Sequence, residues 1–272
     1  MARTAIPSLF FIAFALIGCG TNNSSGTSID LGMLEDAGVD MNAADMTFTD
    51  DAGSVSCEPS EVTCIDQSIV MLDLFETVSP AAITEEGTTD GEFTTLVDAS
   101  GGGYNPTQSY VYARFTDTGL AKVDVDDEAA FSSSDWDIAF RRYVVRLNSG
   151  VAGPSCVTGA RTAPGTTFDT LESVPETLPY HVEEYFTSTC DYVPDGSGIG
   201  APGTVLSSFW TYPGCVSMSG YVYVVALANG RHVKLQVLSY YPPDVQETCE
   251  TTGTVPMPSG AGAIRVRWAF LD

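Results

Sequence analysis

The chain has 272 residues, of which 35 are acidic and 11 basic, giving a formal net charge of −24 at pH 7. That balance leaves no counter-charge for phosphates, so it excludes nucleic acid as a partner and argues against attraction to an anionic lipid surface. The charge is also uneven: no Lys or Arg falls between Arg3 and Arg114, a stretch holding 17 Asp and Glu. Solubility and repulsion from neighbouring acidic surfaces account for such an excess. An apolar share of 44% is enough for a real core.

Residues 1–18 read as a secretory signal, with Arg3, an apolar run from Ile6 to Ile17 and a small residue, Gly18, before a cut site. The run is too short for a spanning helix, which needs roughly 20 apolar residues. Leu16-Ile17-Gly18-Cys19 resembles the lipobox of bacterial lipoproteins. The resemblance implies that Cys19 becomes the first mature residue and carries lipid, palmitate included, tethering the protein to a membrane. Gly20 after the cysteine suits sorting to the outer membrane.

Residues 19–56 read as a lipidated, disordered acidic tether. Gly20 to Gly26 has a flexible composition, and the acids from Asp30 to Asp51 are scattered among few apolar residues. The acids at 40–51 lack the ligand alternation, central glycine and closing glutamate of a calcium loop. From Cys57 to residue 272 the chain reads as one globular domain.

Besides Cys19 there are six cysteines, Cys57, Cys64, Cys156, Cys190, Cys215 and Cys249. None sits in the CxxC spacing of a zinc or redox site, and an exported chain supports disulfides. The simplest expectation joins near neighbours: Cys57 to Cys64, Cys156 to Cys190 and Cys215 to Cys249.

Within the domain, short β-rich runs are separated by Gly, Pro, Asn and Asp. Short helices are expected within 57–80 and 176–187. Strands are expected at Tyr110 to Phe115, Lys122 to Val125 and, as one longer element, Ile138 to Leu147. A hairpin is expected from Tyr221 to Ala228, through a two-residue type I′ turn at Asn229-Gly230, and back from Arg231 to Tyr241. On its return strand Val233, Leu235 and Val237 share one face and His232, Lys234 and Gln236 the other. Pro242-Pro243 ends that strand. The closing strand, Ile264 to Leu271, turns Ile264, Val266, Trp268 and Phe270 one way and Arg265 and Arg267 the other. The fold class is therefore all-β: two packed, mostly antiparallel twisted sheets in a single domain with few short helices.

Ser132 to Gly150 includes Trp136-Asp137-Ile138-Ala139-Phe140 and ends in Asn148-Ser149-Gly150. This segment resembles the signature of the HmuY family of bacterial surface lipoproteins. Ser109-Tyr110-Val111-Tyr112 is similar to that family's early aromatic strand. Lys234-Leu235-Gln236-Val237-Leu238-Ser239-Tyr240-Tyr241 is similar to its hairpin, and the likeness spans about 105–272. The same residues also have a structural reading: Trp136 and Phe140 anchor a strand, Asp135 and Asp137 serve a turn, and Arg141 and Arg142 meet some of the many acids.

The resemblance implies capture of haem outside the cell and its hand-over to an outer-membrane transporter. It does not fix the ligands. The candidates are His181, His232 and Met218. His181 stands beside prolines in a loop, His232 on the hairpin's polar face, and Met218 just before the hairpin, where it either ligates iron or fills the core. Enzyme motifs such as a Gly-x-Ser-x-Gly elbow, a P-loop or His-Glu-x-x-His are absent from the sequence. The expectation is a non-enzymatic protein. The competing reading is a disulfide-stapled interaction module that has lost its haem ligands.

Overall fold

The computed structural model describes residues 57–271. The signal, Cys19 and the tether at 19–56 lie outside the described residues.

Helix α1 (Ile65–Met71) precedes twelve strands: β1 (Ile83–Thr89), β2 (Glu92–Asp98), β3 (Val111–Thr116), β4 (Gly119–Val123), β5 (Ile138–Arg141), β6 (Val144–Leu147), β7 (Thr158–Arg161), β8 (Trp210–Thr211), β9 (Ser217–Met218), β10 (Val222–Ala226), β11 (His232–Ser239) and β12 (Ala263–Leu271). Helix α2 (Pro243–Thr252) lies between β11 and β12. One sheet runs β1-β2-β12-β11-β10-β7, a second runs β4-β3-β5-β6, and β8 with β9 forms a small ribbon. Every strand pairing described is antiparallel. The all-β class is therefore as expected.

The core follows from period-two alternation. Val233, Leu235, Val237, Ile264, Val266 and Trp268 from the six-stranded sheet meet Val111, Phe115, Ile138, Phe140 and Leu147 from the four-stranded one. Trp268 stacks on Phe93 with ring centroids 4.3 Å apart and receives the edge of Phe115 at 5.0 Å. Each sheet also has a covered outer face. Tyr110, Tyr112, Trp136, Tyr185 and Phe186 pack outside the small sheet. Phe168, Leu171, Val222, Val224 and Ala269 pack outside the large one.

The single long strand expected over Ile138 to Leu147 is instead a hairpin. Arg142, at φ 54°, turns the chain, and Ile138 pairs with Leu147. No helix forms over 176–187, where His181 makes only an isolated bridge to Gly159. A helix does form within 57–80. The later hairpin closes differently from the expected two-residue turn. Gly230 N–H donates to Leu227 O (3.0 Å) and Leu227 N–H to Arg231 O (2.8 Å). Of Asn229 and Gly230 only the glycine has positive φ, so the loop has three residues and places Gly230 in the left-handed position. Pro242-Pro243 ends β11 and also starts α2, with proline at the first helical turn.

The cysteines pair as Cys57–Cys156, Cys64–Cys190 and Cys215–Cys249. Two of the three near-neighbour pairings are thus corrected. The sandwich brings the entering segment against loops 99 and 126 residues away in sequence, with Cα separations of 5.8 and 5.4 Å. Cys215–Cys249 joins the β8–β9 ribbon to α2.

Candidate functional site

His181 lies at the free side of β7. Its amide donates to Gly159 O (2.9 Å) and its carbonyl accepts from Gly159 N–H (3.1 Å). Gly159 pairs with Val225 and Val225 with Val233. The two valines of this row lie on the inner face and are fully buried, whereas His181, at the sheet's edge, is exposed. His232 is one position along, in the row of Ala226 and Thr158. Neighbouring rows point to opposite faces of a sheet. His232 accordingly lies on the outer face, half-buried, with its ring 6.0 Å from that of Tyr180. The two histidines therefore diverge across the sheet and do not form an axial pair.

Met218 pairs with Trp210 in the ribbon. It is half-buried and packs on the main core, and its amide donates to Glu250 Oε1 at 3.4 Å. Among the described residues, no group of three or more His, Cys, Asp or Glu is arranged to hold a metal ion.

The signature segment forms a buried frame. Trp136 is fully buried, edge-on to Tyr112 at 4.9 Å, and its Nε1–H donates to Ala130 O at 3.2 Å. Asp137 accepts the Phe115 amide at 2.9 Å. Burial pushes its carboxyl up to about 6, against the pull of that amide and Arg114. Asn148 Nδ2 donates to Ser133 O and Trp136 O, and its Oδ1 accepts from Ser155 N–H. Gly150 sits at φ 56°, where a Cβ would collide with the Glu183 carbonyl. Phe140 is fully buried in the main core. These five residues serve the scaffold.

Beside them lies a charged cluster that the sequence reading missed. Asp127, fully buried, accepts from the amides of Phe75 (3.0 Å) and Tyr110 (2.8 Å), from Tyr112 Oη–H (2.9 Å) and from Arg141 Nη1–H (3.4 Å). Arg146, also fully buried, lies 3.8 Å from Asp127 and bonds Tyr112 Oη and Tyr185 Oη. Its guanidinium stands 4.1 Å from the Tyr110 ring centre. Glu183 accepts the amides of Leu147 (2.8 Å) and Val205 (3.0 Å). Burial pushes its carboxyl up to about 8, despite those amides and Arg146. The only sequence signal for the cluster is an arginine placed inside the apolar run Val144-Val145-Arg146-Leu147.

A cavity of about 480 Å³ opens nearby, lined by Glu61, Val151, Val182, Phe186, Thr187 and Val193 among others. None of His181, Met218 or His232 lines it.

The HmuY protein family model matches residues 106–252, which is more than half of the chain and takes in the signature, His181, Met218, His232 and α2. The chain belongs to the HmuY family. Its likeness to solved structures is distant. A Bacteroides fragilis protein described as a lipoprotein is 18% identical, with 68% of this chain and 92% of that one covered at a TM-score of 0.43. A Bacteroides vulgatus protein described as HmuY-like and haem-binding is 18% identical, with 69% and 96% covered at 0.43. A Tannerella forsythia HmuY analogue in its apo form is 14% identical, with 74% and 99% covered at 0.35. No curated protein matches.

Proposed function

We propose that this HmuY-family chain is an exported, lipid-anchored protein that captures haem or a related porphyrin at the cell surface and passes it to an outer-membrane transporter. Family membership carries the reading, because the match runs from the loop before β3 through α2. The lipobox-like run ending in Cys19 supplies the membrane attachment, and three disulfides suit an oxidising compartment. No helix among the described residues is long and apolar enough to cross a membrane. The residues do not fit a bis-histidine iron site, since His181 and His232 point to opposite faces. Of the sequence candidates, His181 and Met218 are left as the proposed iron ligands.

The test is a haemin titration of the full chain followed by absorbance. The expected result is a shifted Soret band that saturates at a stoichiometric ratio and is lost in the His181→Ala/Met218→Ala double variant. A spectrum of free haemin at every ratio overturns the proposal. One observation favours a second reading, a non-enzymatic surface interaction module without haem ligands: the divergence of the histidines. That reading predicts an unchanged haemin spectrum.

A further inference from the structure

The turn between β5 and β6 carries a cation with no acid partner. Arg142 forms no ion pair among the described residues, and its side chain's one hydrogen bond there runs from Nη1 to Ala261 O at 3.3 Å. Its Nε and Nη2 keep accessible surface. The backbone here is left-handed, at φ 54°, a conformation that glycine adopts without strain. An arginine at such a turn points to a use for its side chain. Aromatic rings surround it. The Tyr240 ring centre lies 5.8 Å from the guanidinium carbon. Tyr143, half-buried, tilts against Trp210 at 5.1 Å and Tyr240 at 6.3 Å. Tyr212, 49% exposed, stands edge-on to Trp210 at 6.5 Å. Trp210 and Tyr240 are buried and fix the other two rings in place. Tyr104, 89% exposed, lies near enough to act on the Tyr143 phenol, which burial pushes up, Arg142 draws down, and Tyr104 and Asp195 push up further. The Asp195 carboxylate is occupied by Ser197, whose amide and hydroxyl donate to it at 2.9 and 2.6 Å. Met218 pairs with Trp210 across the ribbon, which puts the two side chains on one face.

We infer that this face holds a flat, carboxylate-bearing ring of the porphyrin class, with Tyr143 and Tyr212 against the ring and Arg142 on a carboxylate. The site rests on the porphyrin reading above and holds the ring rather than its metal. Charge and shape select the class. A neutral, saturated sugar would leave the guanidinium unanswered, and a simple anion would leave the exposed tyrosine faces in water. A flat anionic ring meets both, through aromatic contact and a charge-assisted hydrogen bond. In a chain of net charge −24, an anionic ligand needs such an unpaired cation to settle against the surface.

The probe is metal-free protoporphyrin IX, titrated into the full chain and followed by porphyrin fluorescence and by quenching of tryptophan emission. Saturable binding is expected. Arg142→Gly should weaken it by at least about tenfold, the worth of a charged hydrogen bond. The melting temperature should stay unchanged or rise in that variant, because glycine relieves the left-handed turn. Tyr212→Leu should weaken binding by at least about fivefold through the lost flat face. Arg161→Gln, which removes another unpaired arginine, the one over Tyr221, should leave it unchanged. No saturable binding, wild-type affinity in both Arg142→Gly and Tyr212→Leu, or an equal loss in Arg161→Gln overturns the inference. The two readings fail separately. A shifted haemin Soret band that ignores Arg142→Gly and Tyr212→Leu keeps the haem reading and overturns this site. Protoporphyrin binding with the stated losses keeps this site even where His181 and Met218 do not ligate iron.

Discussion

Replacing Asp127 should test whether the buried charged cluster is a single unit. Its carboxylate satisfies two amides and a phenol and faces two guanidiniums, those of Arg141 (5% exposed) and Arg146 (fully buried). Asp127→Leu would strand both cations in a dry interior. Breaking a buried pair from one side costs about 3–5 kcal/mol, most of it the uncompensated partner charge. In a domain of this size 1 kcal/mol shifts the midpoint by about 2–4 °C, so a fall of roughly 10 °C is expected. The assay is urea and thermal unfolding by circular dichroism with the disulfides intact. If stranded charge is the cause, Asp127→Leu/Arg146→Met should recover part of the loss, since exchanging a whole buried ionic set for apolar residues is often neutral. A loss below about 1 kcal/mol for Asp127→Leu, or full additivity of the two substitutions, refutes the reasoning.

The raised carboxyl of Glu183 makes a pH prediction. Its pKa rises from 4.5 to about 8 on folding. The folded state therefore holds more protons than the unfolded state between those values, and stability from this group falls as pH rises through that window, by up to about 1.4 kcal/mol per unit. Glu183→Gln should flatten that slope in unfolding measured across the window, and an unchanged slope removes Glu183 as its source. Trp136→Ala should cost about 3–5 kcal/mol, because it empties a fully buried site and strips the edge contact to Tyr112; a loss under about 1 kcal/mol in the same unfolding assay counts against that role. Cys64→Ser/Cys190→Ser should cost about 2–5 kcal/mol by reopening a long covalent loop. A non-reducing peptide map should link Cys57 to Cys156 and Cys64 to Cys190, and a Cys57–Cys64 peptide would contradict the fold. For the anchor, Cys19→Ser should abolish labelled palmitate incorporation and release the protein from the membrane fraction.

Local alternation made part of this molecule legible. Along β11 and β12 each side chain's face can be read from its neighbours, and the structure buries Val233, Leu235, Val237, Ile264, Val266 and Trp268 accordingly. Three elements were hidden by ambiguous signals. Pro242-Pro243 stops a strand and equally opens a helix, so α2 went unread. The rich supply of Thr and Glu in Ile83 to Asp98 masked β1 and β2, although Phe93, Thr95 and Val97 alternate into the core. The long-range pairings had no local trace. The covalent joins at Cys57 and Cys64, and the convergence of Asp127, Arg146 and Glu183, are products of topology that no spacing in the sequence encodes.

The same distinction bears on the ligand. The two carboxyls that burial raises, Asp137 and Glu183, are committed to backbone amides inside the scaffold. They hold β3, β6 and the loop leading to Val205 in place. Perturbed pKa values usually recommend a residue as functional, but here burial explains each rise, outweighing the amides that pull the other way. The proposed haem ligands stand apart from these groups: His181 beside β7 and Met218 in the ribbon. These belong to different rows and loops, so one substitution at a time can separate them.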